Sequence, residues 1–104
     1  MSREELIPAT EFCTHHRIEV SFLRSLQDYG LMEITTIEQN FFLHPEQVSE
    51  VEKFIRLHYD LHVNMEGLDV IHHMLQRMEA MQKQLSVLRN KLNLHEEDDL
   101  KRND

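Results

Sequence analysis

The sequence contains no Trp, one Cys, two Pro and two Gly in 104 residues. A lone thiol, Cys13, excludes an intramolecular disulfide framework. So little Gly and Pro excludes collagen-like repeats and long flexible linkers. No apolar run exceeds three residues (Phe41–Leu43), whereas a membrane-spanning helix needs about 20. The opening stretch MSREELIPA is rich in charge and lacks the apolar core of a secretory leader. A single thiol without an export signal leads us to expect a cytoplasmic protein. Cations are scarce as well: 11 Lys and Arg face 19 Asp and Glu, a formal net charge of −8.

What is present suits one small domain with an extended element. Hydrophobic residues make up 40 % and charged residues 29 %, a globular balance, and a chain this short buries only a modest core. The acid is spread unevenly. Residues 10–60 hold nine carboxylates against four cations, and residues 61–104 hold eight against six. A surface of that sign repels phosphate backbones and attracts basic partners.

After the lead-in ELIPA, Thr10 is expected to cap a first helix, with Glu11 in its first turn where a carboxylate suits the dipole. Phe12 and Cys13 face inward, and THHRI (residues 14–18) reads as a turn. A second helix starts at Glu19, with Val20, Leu23, Leu26 and Tyr29 on one stripe, and Gly30 stops it at a position suited to positive φ. Two short helices joined by a brief turn form the helix-turn-helix plan. The β-branched run Ile34–Ile37 and the apolar run Phe41–Leu43 flank Glu38, Gln39 and Asn40, a two-stranded wing with Asn40 expected in the left-handed region. Pro45 opens a third helix after His44 as cap, with Val48, Val51, Phe54, Ile55 and His58 inward and its end near Leu61. Asn64 is the expected N-cap of a last helix.

That last helix carries the strongest periodic signal. Ile71, Met74, Met78, Met81, Leu85, Leu88 and Leu92 alternate spacings of three and four, an apolar heptad seam. A small domain covers the first half of such a stripe at best, since the helix advances about 1.5 Å per residue. We therefore expect a homodimeric coiled coil, with neutral or basic flanks (Arg77, Gln82, Gln84, Arg89 and Lys91) that leave orientation and strand number open. The expected organisation is a winged domain over residues 1–63, a dimerisation helix over 64–95 and a charged flexible tail over 96–104.

The order of helix, turn, helix ending in Tyr29-Gly30-Leu31, β-wing, third helix and long coiled-coil helix resembles the MerR-type winged helix-turn-helix over about residues 7–92. The fold class is accordingly mainly α, with a small β-hairpin wing and a long C-terminal helix. Thr10-Glu11-Phe12-Cys13, Tyr29-Gly30-Leu31 and the Leu61–Leu68 connection, with Gly67 just inside a helix, are similar to the chaperone-modulator family. Those proteins are small partners of a J-domain co-chaperone called curved-DNA-binding protein A. The resemblance implies J-domain binding and inhibition of that co-chaperone's work with a DnaK-type chaperone. It departs from a DNA-reading MerR regulator: Arg17 and Arg24 stand against Glu19, Asp28, Glu33 and Glu38 over the second helix and wing. A J-domain presents a positively charged helix, which an acidic modulator complements. The candidate partner-binding residues are Glu46, Glu50, Leu57, Tyr59 and Asp60, an apolar and aromatic pair in an acidic rim. A DNA-binding MerR-like regulator is the alternative, and nucleic acid is the less expected partner.

Other chemistry finds little support. Cys13 beside Phe12 reads as a small buried hydrophobe. His15-His16, His72-His73 and the pair His58/His62 have no third ligand at a diagnostic spacing, and His62 falls in a turn suited to positive φ. There is no phosphate-binding Gly loop, nucleophile elbow or paired inward carboxylate. We expect no metal, no cofactor and no catalysis. The Met74, Met78 and Met81 cluster reads as seam rather than a soft groove.

Overall fold

The computed structural model describes residues 5–102, with side chains described through Glu96. The elements are β1 (Ile7–Pro8), α1 (Ala9–His16), α2 (Val20–Asp28), β2 (Ile34–Ile37), β3 (Asn40–Leu43), a 3-10 turn (Pro45–Gln47), α3 (Val48–Ile55), a π-helical turn (Arg56–Asp60) and α4 (Met65–Arg102). The chain is mainly helical with one small antiparallel sheet, as its pattern predicts. It divides into two compact units, one up to Val70 and one from Ile71.

In the first unit, α1 and α2 are separated by three residues, with Arg17 left-handed at φ 57°. The helix α1 starts one residue before Thr10, so Pro8 takes the cap position without a side-chain bond and Thr10 lies in the first turn. Residues Thr14–His16, expected in a turn, remain helical, and Thr14 donates its hydroxyl to the Thr10 carbonyl 2.9 Å away. The helix α2 follows the predicted stripe, with Glu19 at its cap and Phe22, Leu23 and Leu26 buried. Its end is a Schellman closure. The Gly30 N–H reaches the Gln27 carbonyl and the Leu31 N–H reaches that of Leu26, both at 2.9 Å, with Gly30 at φ +74°.

The sheet has the order β1-β3-β2. The hairpin register pairs Ile37 with Asn40 and Ile34 with Leu43. Asn40 is therefore a strand residue, and the positive φ expected there falls on Glu38 (51°) and Gln39 (68°). Both residues of a two-residue hairpin loop take positive φ when the loop matches the twist of its strands. The stretch read as a lead-in supplies a third strand, in which Ile7 faces Leu43 and Pro8 faces Phe42. Proline is tolerated there because β1 is an edge strand.

After His44, Pro45 opens a 3-10 turn and not the third helix itself, which starts three residues later at Val48 and buries Val51 and Phe54. Leu23, Leu26, Leu43, Val51 and Leu68 are fully buried and Phe54 is 2 % exposed, so α2, α3, the wing and the first turn of α4 share one core. Asn64 caps α4 as predicted, accepting from the Gly67 N–H at 2.8 Å.

In the second unit, α4 is helical throughout. Along the seam Ile71 is half-buried, while Met74, Met78, Met81, Leu85, Leu88 and Leu92 are each between 52 % and 61 % exposed. The helix backbone continues to Arg102. The side chains of residues 97–104, which make up most of the charged tail, lie outside the described residues.

Candidate functional site

A winged helix-turn-helix meets nucleic acid with its second helix and its wing. Here α2 exposes Ser21, Arg24, Gln27 and Asp28. Arg24 is the single cation of α2, and its guanidinium lies 5.0 Å from the centre of the Phe41 ring on the wing. That stacking holds the charge on the protein's own aromatic surface. The wing tip presents Glu38 and Gln39, and Glu19 stands at the start of α2, where its carboxylate accepts from the Ser21 hydroxyl at 3.2 Å. The second helix with its cap and the wing tip therefore set Glu19, Asp28 and Glu38 against Arg24, more negative than positive charge.

The candidate partner-binding residues span the helical run from Pro45 to Asp60 and are not equivalent. Glu46 and Asp60 are exposed at opposite ends of it. Glu50 is half-buried, 3.8 Å from Lys53 one turn on. Leu57 packs partly buried against the core. Tyr59 is 38 % exposed, with its ring edge-on to Phe22 at 5.3 Å and its hydroxyl 3.4 Å from the Glu19 N–H, so the π-helical turn is brought against the start of α2. Leu61, just beyond the run, is 66 % exposed. The hydrophobic pattern passed over it because it lies between the periodic segments.

The histidines mostly do structural work. The two ring nitrogens of His16 face the Phe12 carbonyl at 3.0 Å and the Glu52 carboxylate at 3.2 Å, tying the end of α1 to α3. His58 stacks on Phe22 with centroids 4.7 Å apart, and its Nδ1 lies 2.8 Å from the Val63 carbonyl. His62 takes the left-handed conformation at φ 58°, as its place in the turn predicts. Among the described residues no group of three His, Cys, Asp or Glu is placed to hold a metal ion. Cys13 is buried, and that burial pushes its thiol up from the ordinary range, away from the thiolate a reactive cysteine needs. No helix among the described residues is long and apolar enough to cross a membrane.

One exposed pair links α2 to the start of α4. The Tyr29 hydroxyl donates to the Glu66 carboxylate at 2.9 Å. That bond, aided by the nearby charges of Glu66 and Asp69, raises the Tyr29 phenol above its usual range. The Glu66 carboxyl is lowered, first by its own backbone N–H and then by Tyr29. Raised Tyr and lowered Glu give opposite edges: the contribution is present above the usual carboxyl range and below pH about 10, and fades outside either edge. Thermal melts of the unaltered chain and Tyr29→Phe should therefore differ on a plateau between those edges and converge beyond them. A difference that does not begin to shrink as the pH is raised above about 10 would contradict the assignment.

A family model for MerR HTH family regulatory proteins matches residues 7–90. A search of curated proteins and a search of solved structures each gave no match. The matched span covers the two-helix unit, the wing, the third helix and most of the long helix, so the chain belongs to the MerR HTH family of regulatory proteins.

Proposed function

We propose that this MerR-family chain is a non-enzymatic cytoplasmic regulator that acts on a protein and not on DNA: a chaperone modulator that binds the J-domain of a co-chaperone and blocks its work with a DnaK-type chaperone. The observation that carries this reading is the charge of the helix-turn-helix and wing. Their one α2 cation is stacked on Phe41, while Glu19, Asp28, Glu33 and Glu38 lie on the same stretch. A cationic helix gains from such a surface what a phosphate backbone loses. The similarity of Glu11-Phe12-Cys13 and Gly67 to the chaperone-modulator family supports the choice of a J-domain.

The test is ATP turnover by a DnaK-type chaperone stimulated by its J-domain co-chaperone. The chain should suppress the stimulated rate and leave the basal rate unchanged. Suppression that fails even at a large molar excess ends the reading.

Family membership itself favours the second reading, a DNA-binding regulator. It asks Arg17, Arg24 and Lys53 to carry the phosphate contacts almost unaided. A gel shift on random duplex at about 50 mM salt separates the two, since micromolar binding there favours DNA.

We also propose that the chain works as a homodimer through Ile71, Met74, Met78, Met81, Leu85, Leu88 and Leu92. A heptad seam whose side chains are mostly more than half exposed in the single chain supports this.

A further inference from the structure

The link between α3 and α4 is unusual in its backbone and in what it displays. Arg56–Asp60 forms a π-helical turn, a rare geometry frequent at functional sites. His62, two residues on, sits at φ 58°, a conformation that costs a non-Gly residue free energy. The elbow is tied down three times. The Leu61 N–H reaches the Arg56 carbonyl at 3.3 Å, the Val63 N–H reaches that of Leu57 at 3.0 Å, and His58 Nδ1 lies 2.8 Å from the Val63 carbonyl. This strained and firmly held backbone leaves Leu61 66 % exposed, the most exposed large hydrophobic among the described residues of the first unit. Leu57 and Val63 on either side pack against the core, while Leu61 is turned out to solvent.

The surroundings indicate what would cover it. Tyr59, 38 % exposed, stands two residues before Leu61, with its hydroxyl at the Glu19 backbone. Asp60 is exposed between them. From Arg56 to Arg77 the chain carries Asp60, Glu66 and Asp69 and no intervening Lys or Arg. An outward Leu and a half-exposed Tyr flanking the exposed Asp60, with Glu19 at the Tyr59 hydroxyl, make an apolar anchor beside negative charge.

We infer that the α3–α4 elbow is a docking face for a cationic amphipathic helix, with Leu61 as the apolar anchor, Tyr59 as its aromatic flank and Asp60 as the rim charge. This rests on the proposed reading of a cationic helical partner and assigns the anchor to Leu61 in place of the core-packed Leu57.

The test is calorimetric titration of a J-domain into the full chain, unaltered and as Leu61→Ser and Leu61→Lys, with a thermal melt and a sedimentation mass for each. Leu61→Ser should weaken binding about tenfold or more, and Leu61→Lys, which adds a like charge to the face a cation meets, by at least as much. Both should keep the melting temperature, since the side chain is mostly exposed. If Leu61→Ser melts lower, the affinity of Leu61→Lys decides. Unchanged affinity in the variants, with the unaltered chain binding, overturns the elbow and leaves the J-domain reading standing. No binding by the unaltered chain overturns both. A variant that halves in mass while keeping its affinity assigns the face to a second copy of this chain and also overturns the inference.

Discussion

In the proposed homodimer, replacing Leu85 and Leu88 together by Lys is expected to leave single chains, read by light scattering as a halved mass. Both side chains are exposed in the single chain, at 57 % and 61 %. Burying such a residue against a partner contributes about 1.5–3 kcal/mol, and a dimer buries each position twice. The double variant removes that gain and adds four ammonium groups to a seam that has no carboxylate among its apolar positions. The first unit should be untouched, because the buried apolar residues of the described chain all lie between Ala9 and Leu68. Its cooperative melt should therefore survive, with a midpoint that no longer depends on protein concentration. A dimer that persists would place the interface away from the heptads.

Gly67→Ala should lower stability by up to about 2 kcal/mol, although the usual effect of Ala in a helix has the opposite sign. Ala gains about 1 kcal/mol over Gly at a helical position free of contacts. Here a Cβ on Gly67 would meet Val63 Cγ1 at 2.7 Å and Asn64 Oδ1 at 3.0 Å. Val63 is β-branched and stiff at χ1, its N–H is bound to Leu57, and Asn64 Oδ1 is the cap of the same helix. Overpacking against groups so fixed costs about 1–3 kcal/mol, which exceeds the propensity gain. A domain of this size then melts several degrees lower. A variant that melts higher would mean that Val63 moves aside freely.

The parts of this fold that were legible from residue order are those where a local pattern and a tertiary requirement agree. The stripe Val20, Leu23 and Leu26 with Gly30 marked α2 to within a residue, because the same side chains pack the core and the same Gly closes the helix. Asn64 as a cap was legible for the same reason. The wing was legible but its turn was not: residue preference assigns the left-handed conformation to Asn40, whereas the register Ile37–Asn40 forces it on Glu38 and Gln39. The strand β1 was invisible, being two residues with one Pro and no alternation.

The candidate site divides along similar lines. Its negative sign comes from residue counts alone. Which acids and apolar groups are available does not. Glu52 is taken by His16 from a helix 36 residues away in sequence. Beyond Ile55 the π-helical turn inserts extra backbone into each hydrogen-bonded loop, so a 3.6-residue period extrapolated from α3 still places His58 inward but loses its register at Leu57 and Leu61. Leu57 consequently turns to the core and Leu61 outward.

The central proposal is that this acidic member of the MerR HTH family binds a cationic protein and not a nucleic acid. Calorimetric titration of the intact chain with the J-domain, at about 50 mM salt and again at several times that, tests it most directly. Saturable binding that weakens as salt rises is expected, because exposed charges are screened beyond about 8–10 Å. No binding at the lower salt, from a chain that retards random duplex DNA under the same conditions, would contradict it.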